Sequence, residues 1–172
     1  MPERVYNNFA GLRVIDDGRV VEDVTSITLP TIKHSITSMK SIAGMPADLD
    51  MPNTAHLEAM DFSIAHNNGV NCRFLANPGK HSIEVRTARQ RYGVAKAEIG
   101  HESVKYRFIA AHLETNKGSV EMNNPYGSTD KYSVIRYEEE IDDEVVTIVD
   151  AAAGILKWNG VDVTSEIEGI LT

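Results

Sequence analysis

Apolar residues recur at every second position along most of this 172-residue chain. The stretches 58–65 and 102–114 show this alternation well, and in the first of them Met60, Phe62 and Ile64 fall on one side. A strand directs successive side chains to opposite faces, so a period of two predicts half-buried strands, whereas an amphipathic helix needs a period of about 3.6. We therefore predict a mainly β fold, a twisted barrel or sandwich of about eight strands with one or two short helices.

Turn residues separate these strands. Residues 17–18 are Asp-Gly and residues 159–160 are Asn-Gly, two dipeptides that favour tight hairpin turns because glycine accepts a positive φ. The chain from 131 to 149 predicts another hairpin, with its turn at 140–143. Asn, Gly, Ser and Pro are concentrated in residues 116–130, which predicts a loop.

The alternation also predicts strands on either side of these turns. Residues 20–29 are expected to form one return strand after the first turn. Residues 81–91 and 94–99 are expected to form two strands around a Tyr-Gly pair, ahead of the long strand at 102–114.

Two short segments have helical character. Residues 67–80 open on asparagines and end at an Asn-Pro-Gly sequence, which predicts a short internal helix. Residues 163–172 predict a short C-terminal helix, and Ser165 with Glu168 matches a capping box at its start. The chain has no internal repeat and no low-complexity segment, so we expect a single domain over residues 1–172.

Composition narrows the classes of function. The formal net charge is -8, so a basic face that grips nucleic-acid phosphates is not expected. Cys72 is the single cysteine; no internal disulfide can form, and folding in a reducing cytoplasm is expected. The N-terminus lacks a signal-peptide pattern, and the most apolar later stretch, 145–156, is too short to span a bilayer. We expect a soluble protein without a membrane anchor.

The chain shows no catalytic or metal-binding motif. Its six histidines are scattered over different elements, and no pair has i, i+4 spacing on a convincing helix. His112 and Glu114 form an H-x-E sequence, but the P-C-x-x-C partner found in zinc deaminases is absent. The acidic run 137–144 lacks the spacing of an EF-hand loop. We therefore predict a structural protein that is not an enzyme and needs no cofactor or metal.

One stretch fits neither a regular strand nor a helix. Residues 38–53 read SMKSIAGMPADLDMPN, with two methionines directly before two prolines and two aspartates between them. This stretch is too apolar for an ordinary surface loop and too interrupted for a helix. It therefore indicates an apolar arm that leaves the sheet.

Four sequence motifs occur in order along almost the whole chain. They are V-T-S-I-T-L-P at 24–30, S-I-A-G-M-P-A-D-L-D-M at 41–51, L-E-A-M-D-F-S at 57–63 and I-L-K-W-N-G-V-D at 155–162. An acidic hairpin at 132–149 precedes the last of them. In this combination the chain resembles the tail tube proteins of contractile-tailed bacteriophages and of R-type bacteriocins.

This resemblance implies a ring-forming β subunit with a mechanical function. Six copies would form a ring, rings would stack into a hollow tube, and contraction of a surrounding sheath would drive the tube through a bacterial envelope. The implied partners are other copies of the chain, the sheath protein, the baseplate or tube initiator, the tape measure, the tail terminator, and DNA that passes through the bore without specific binding. The implied location is a virion tail or an extracellular bacteriocin particle, assembled in the bacterial cytoplasm.

Two other interpretations stay open at this point. A type VI secretion tube component would form the same ring, although the T-L-P and N-G-V-D motifs favour the phage-tail branch. A small β-barrel enzyme or ligand carrier would need a convergent cluster of polar residues, which the sequence does not reveal.

The resemblance gives the apolar arm a purpose. We expect residues 39–58 to form an extended arm between subunits that packs on the next ring, where unbranched methionine adapts to a surface formed only on assembly. An alternative is a flap that covers the subunit's own core. The predicted contact residues are Met45, Pro46, Leu49, Met51 and Met60.

The acidic composition suggests a lining for the bore. A negatively charged wall would let DNA slide without sticking. The candidate lumen-facing residues are Glu84, Glu98 and Glu102, on the strands predicted at 81–99 and 102–114. Their basic neighbours could instead form ion pairs between subunits.

Overall fold

The computed structural model describes residues 4–41, 46–67, 70–94, 98–124 and 126–171. Most of these residues lie in antiparallel strands, which confirms the predicted mainly β class. The strands are β1 (Arg4–Asp16), β2 (Arg19–Val21), β3 (Val24–Thr28), β4 (His34–Met39), β5 (Leu49–Leu57), β6 (Asp61–His66), β7 (Lys80–Gly93), β8 (Glu98–Asn116), β9 (Ser128–Ile141), β10 (Glu144–Asp150), β11 (Ile155–Trp158) and β12 (Val161–Asp162). A 3₁₀ helix covers Val70–Ala76, and an α-helix, α1, covers Val163–Leu171.

Most of the strands belong to one curled sheet. Its main path is β12-β11-β10-β9-β8-β7-β1-β2, while β6 pairs with the first half of β9 and β3 pairs with β6. The curl brings Ile27 of β3 into one apolar pocket with Val85 of β7 and Tyr106 of β8. Within the described ranges no ladder joins β3 to β1 or β2, so the layers face each other as in a sandwich, and the sheet does not close into a barrel.

Aromatic rings fill the middle of the core. Phe62 of β6 stacks on Phe108 of β8, with ring centroids 4.2 Å apart, and on Tyr132 of β9 at 5.1 Å. Tyr137 of β9 also stacks on Phe108, and all four side chains are buried. The hydroxyl of Tyr132 donates a hydrogen bond to the carbonyl oxygen of Leu75 at 2.7 Å, and this bond ties the 3₁₀ helix to the sheet.

The predicted tight turns lie where residues accept a positive φ. Asp17 and Gly18 have φ values of 47° and 81°, and Asn159 and Gly160 have values of 47° and 82°. Residues 142–143 turn the β9–β10 hairpin with φ values of 47° and 67°. Two consecutive positive φ values are typical of type I′ turns, whose twist matches that of the flanking strands.

The structure corrects two of the predicted strands. The return strand expected at 20–29 is divided into β2 and β3, because Asp23, with φ of 61°, redirects the chain from β1 to β6. The strand expected at 94–99 is not a separate element, since β7 continues to Gly93 and β8 begins at Glu98. The two strands form one long hairpin that extends well beyond the rest of the sheet.

The helices lie close to their predicted positions. The 3₁₀ helix falls inside the predicted segment 67–80 and buries Cys72 and Leu75 against the core. The cap of α1 is Asp162, whose Oδ1 accepts a hydrogen bond from the backbone N–H of Ser165 at 3.0 Å; the capping box predicted at Ser165 is therefore wrong. Neither helix of the described chain is long and apolar enough to cross a membrane.

Candidate assembly interface

The arm is a two-stranded ribbon. In the described part of the chain, β4 and β5 pair only with each other, from Met39↔Leu49 near the tip down to the base. The arm therefore spans residues 34–57, whereas the sequence placed it at 39–58 without regular structure. The sequence did not predict β5 because this strand contains Pro52. A proline cannot donate a hydrogen bond to a ladder and usually argues against a strand.

The ribbon stands away from the body of the subunit. Every described residue from Ile36 to His56 is exposed, so the flap interpretation is wrong for this part of the arm. The base is held by the N–H of Glu58, which donates to the carbonyl oxygen of Lys33 at 2.8 Å, and by the ion pair between their side chains at 3.0 Å.

The two faces of the arm differ in polarity. Residues opposite each other in an antiparallel pair share a face, so Met39, Leu49 and Met51 lie together on one side. Their side chains are 44%, 43% and 47% exposed. On the other side Ser38 Oγ donates to Asp50 Oδ1 at 2.5 Å, and Ile36 lies there opposite Pro52. The side with Met39, Leu49 and Met51 is therefore the more apolar face of the arm, and the described residues of its own subunit do not cover it.

The structure distributes the predicted contact residues unevenly. Leu49 and Met51 lie on the apolar face of the arm, and Pro46 is exposed at its tip. Met45 lies outside the described residues. Met60 does not lie on the arm: it is only 6% exposed, belongs to the core and lines a groove beside the base of the arm.

Sequence reasoning overlooked Met39 as a contact residue. Its alternation with Ser38 was visible, but its position beside Leu49 depends on the register of the ladder. The register is set by pairing between strands that are separated in the chain, and no local pattern reports it.

A groove lies beside the base of the arm. Its volume is about 390 Å³, and it is bounded by residues 55–60 on one side and by α1 on the other. Apolar side chains dominate its lining, and the deepest of them are Met60, Val134, Val149 and Leu156. Thr164 fixes α1 at this place, because its Oγ1 accepts a hydrogen bond from the N–H of Leu156 at 2.7 Å.

Helix α1 carries an apolar stripe along the groove. Val163, Ile167, Ile170 and Leu171 have the i, i+4, i+7, i+8 spacing that places residues on one helical face. Val163 packs against the core, Ile167 lines the groove, and Ile170 and Leu171 are 79% and 80% exposed. The apolar surface of the groove therefore continues along the helix.

The long hairpin forms a second projection, which we call the tongue: residues 4–13 of β1, 86–93 of β7 and 98–103 of β8. β1 pairs with β7 as far as Arg4↔Gly93, and β9 ends at Ile141, opposite Val104. Neither the outer edge of β1 nor the outer edge of β8 has a ladder partner in the tongue among the described residues. An edge of this kind offers backbone groups to another strand.

The direction of the free amides in β8 follows from one pair of bonds. The N–H of Ser103 donates to Asp142 Oδ1, and the carbonyl oxygen of Ser103 accepts from the N–H of Asp142, both at 2.9 Å. Alternate residues of a strand direct their backbone groups to the same side. The N–H groups of Ile99 and His101 therefore point to the unpaired edge.

The face of the sheet opposite the core is a lattice of ion pairs. Arg107 Nη1 lies 2.7 Å from Glu138 and 2.8 Å from Glu140, and Lys105 Nζ lies 2.6 Å from Glu140 and 2.7 Å from Asp143. The hydrogen bond from Lys105, reinforced by Arg107, lowers the pKa of Glu140. Arg86 adds a contact to Glu84. This face is charged, but its charges are paired within the subunit.

The three carboxylates predicted to face the lumen lie on different faces. Glu84 stands opposite Arg107 in the β7–β8 ladder and belongs to the ionic lattice. Glu102 stands opposite Arg89, and Glu98 has the same parity as Glu102, so both lie on the other face. Glu102 is also buried, with Arg89 Nε donating to it at 2.8 Å. A bore that is lined by one face of the sheet therefore cannot expose all three carboxylates.

The fold gathers three of the six histidines, which sequence reasoning treated as scattered. His66 Nε2 lies 2.7 Å from Asp130 Oδ2, and His112 is close to the same carboxylate. The ring of Tyr132 meets His81 and His112 edge-on, with centroids 5.3 Å and 5.6 Å apart. β6, β7, β8 and β9 each contribute to this group, and no spacing along the chain would have revealed it.

One pair in this region has a perturbed protonation equilibrium. Burial works to lower the pKa of His81, but hydrogen bonds to the carbonyl of Asn77 and to Asp16 outweigh it and raise that pKa. Burial raises the pKa of Asp16. With Asp17 these residues form a triad whose ligand atoms lie within 4.8 Å of one another. Both nitrogens of His81 already have partners, so a cation would have to displace the bond to Asp16.

Comparison with solved structures finds chains that share this fold. A chain of the cryo-EM structure of an extracellular contractile injection system, the PVC sheath/tube terminator in the extended state, superposes with a TM-score of 0.52 and 10% identity over 76% of this chain and 94% of that chain. A chain of the PVC sheath-tube complex in the extended state gives 0.52 and 10% over 75% and 87%. Hcp1 from Flavobacterium johnsoniae gives 0.41 and 11% over 81% and 98%, too low a score to show a common fold.

The sequence comparison is more specific. No curated protein matches the chain. The family model described as phage tail tube protein FII matches residues 8–171, which include most of the tongue, the whole arm and helix α1. The match agrees with the order of motifs read from the sequence. The chain therefore belongs to the phage tail tube protein FII family, whose members are structural subunits of tail tubes.

Proposed function

We propose that this subunit forms six-membered rings that stack into the hollow inner tube of a contractile injection particle. A sheath would surround the tube and drive it through a bacterial envelope. The observation that carries the proposal is the tongue, whose two outer edges, on β1 and on β8, have no ladder partner among the described residues. The family match and the two PVC relatives with the same fold support the contractile particle.

Ring closure explains why the tongue keeps two open edges. An exposed strand edge in a soluble protein invites aggregation, and the tongue extends over several residues of each strand. If the β8 edge of one copy pairs with the β1 edge of the next, a closed ring leaves no edge open. Ile99 and His101 would supply donors to this ladder. The wall formed by the tongues of one ring would enclose the bore.

The arm supplies the contact between rings in this proposal. Its apolar face of Met39, Leu49 and Met51 would be buried on a neighbouring copy. Leu49 and Met51 belong to the set predicted from the sequence, and Met39 is added to it. Burying three such side chains contributes roughly 1.5–3 kcal/mol each before the cost of ordering the arm. An apolar contact of this size, repeated in every subunit, would hold a rigid stack.

The remaining assignments follow from the same proposal. The subunit acts mechanically and catalyses no reaction. Its further partners are the sheath protein, the baseplate or tube initiator, the tape measure and the tail terminator, and DNA passes through the bore without specific binding. The particle is a virion tail or an extracellular bacteriocin, assembled in the bacterial cytoplasm.

The direct test is the assembly of the purified chain. Negative-stain electron microscopy and sedimentation are measured over a wide range of protein concentrations. We expect six-membered rings or hollow rods that grow with concentration. A folded monomer that never associates at any concentration would overturn the proposal.

A further inference from the structure

We infer that the groove between residues 55–60 and helix α1 is the receptor for the apolar face of the arm of a second copy of this chain. The inference rests on the proposed tube assembly and names the surface on which the arm is buried. Each subunit would then carry one arm and one groove, which are different surfaces. Contacts between different surfaces propagate into rings or helical stacks, as a tube requires.

The arm needs a partner on one face only. A two-stranded hairpin is marginally stable in water unless a surface covers its apolar side. The polar groups are already paired within the ribbon: Ser38 donates to Asp50, and Asp48 Oδ1 accepts from the N–H of Ser41 at 2.8 Å. What remains unsatisfied is the apolar face itself.

The groove offers an apolar floor for this face. Val134, Val149 and Leu156 line it below, and Ile167 forms part of the opposite wall. Its volume of about 390 Å³ accommodates several side chains. Beyond Ile167, the exposed residues Ile170 and Leu171 extend the same apolar surface along the helix.

The wall of the groove includes a gap in the arm ladder. The ladder jumps from Ile36↔Pro52 to His34↔Leu57, so residues 53–56 have no partner in β4. Within this gap the N–H of Ala55 donates to Asn53 Oδ1 at 3.1 Å, and residues 55–56 belong to the lining of the groove. The groove therefore offers an entering ribbon its apolar floor.

The subunit's own arm does not fill its own groove. The arm base forms one wall, and the ribbon leaves from there, carrying Met39 about 16 Å from His34 at the spacing of an extended strand. The arm residues from Ile36 to His56 that the structure describes are all exposed. The occupant is therefore the arm of another copy.

The test is a chemical cross-link between the arm of one molecule and the groove of another. Met51→Cys and Ile167→Cys variants are purified separately, mixed under assembly conditions and treated with a short bismaleimide linker. Each copy carries one new thiol, and the native Cys72 is buried. We expect a covalent dimer in the mixture that is lost when either variant is treated alone. The matched control mixes Met51→Cys with Met122→Cys, whose thiol lies on an exposed loop, and should give no dimer.

Electron microscopy of the same samples distinguishes a failure of the groove as receptor from a failure of the proposed function. Rings or tubes without the Met51–Ile167 dimer would overturn the groove as receptor and leave the proposed function intact. If the unaltered chain forms no rings or tubes, the proposed function fails and the inference fails with it. A chain carrying both substitutions that links only within itself would also overturn the inference, because its own arm would then reach its groove.

Discussion

His81 Nδ1 lies 2.8 Å from Asp16 Oδ2, and both side chains are buried between the end of β1 and the start of β7. The other ring nitrogen, Nε2, lies 2.8 Å from the carbonyl oxygen of Asn77, which can only accept a hydrogen bond. Nε2 therefore carries a proton, and the contact with Asp16 needs a second proton between the two side chains. The folded state holds that proton on the pair.

This arrangement predicts that stability depends on pH through His81. The pKa of the folded residue is raised above the ordinary value of 6.5, so its stabilising effect is fully present below pH 6.5 and is lost as the pH rises through the higher folded value. We expect the difference in unfolding free energy between the unaltered chain and His81→Asn to shrink as the pH rises above 6.5 and through the raised pKa of folded His81. Urea denaturation at several pH values measures it.

A matched control removes an exposed histidine. His56→Asn should leave the pH profile of the unaltered chain unchanged, because His56 lies on the exposed arm. A His81→Asn variant with an unaltered pH profile would contradict the shared proton.

The role of the unpaired β8 edge of the tongue can be tested by removing one backbone donor. His101→Pro removes an N–H that points away from β7, so the β7–β8 ladder keeps its bonds. We expect a folded subunit that forms no rings, measured by circular dichroism and analytical ultracentrifugation. His101→Ala keeps the N–H and should assemble normally. Normal ring formation by the proline variant would show that this edge is not used.

The apolar face of the arm predicts a side-specific effect. Met51→Asp places a charge where the arm is buried on its neighbour, and the concentration needed for tube growth should rise roughly tenfold or more, since one buried side chain is worth at least about 1.4 kcal/mol. Ile36→Asp places the same charge on the opposite face and should have a much smaller effect. Sedimentation at a series of concentrations measures both. Equal effects of the two variants would contradict the one-sided contact.

Tyr132 predicts a stability effect without an assembly effect. Tyr132→Phe leaves the buried carbonyl oxygen of Leu75 without its donor and should lower the free energy of unfolding by about 1–3 kcal/mol. Tyr92→Phe, at a partly exposed position in the tongue, should change it little. Chemical denaturation measures both, and an unchanged stability of Tyr132→Phe would show that another group satisfies Leu75.

The face of the sheet that lines the bore can be identified by labelling cysteines placed on its two faces. Glu84 and Glu98 lie on opposite faces of the β7–β8 hairpin, so a tube wall one sheet thick exposes only one of them to the bore. In assembled tubes, Glu84→Cys and Glu98→Cys should differ in labelling by a thiol reagent too large to enter the bore. Equal labelling of both cysteines would show that the β7–β8 hairpin does not form such a wall.

Local chemistry made the strands and turns predictable. The alternation at Met60, Phe62 and Ile64 fixes a strand because side-chain direction depends only on neighbours in the chain. The Asp-Gly and Asn-Gly turns were readable for the same reason, since a positive φ is a property of one or two residues. The motif order was also local information, and it led to the family.

Pairing between distant segments was beyond such reasoning. Met60 was predicted as a contact residue between subunits, but the structure buries it in the core, at the floor of the groove. Glu84 and Glu102 looked alike, but the ladder places them on opposite faces. His81 and His112 meet the ring of Tyr132 only after their strands have paired.

The sequence by itself therefore determined that this chain is a mainly β tail tube protein with an apolar arm. Only the tertiary structure decided which arm residues share a face, where the groove beside α1 forms, and which strand edges lack a ladder partner. The physical reason is that hydrophobic period and turn chemistry act over a few residues, whereas register, curl and edges arise from hydrogen bonds between residues far apart in the chain.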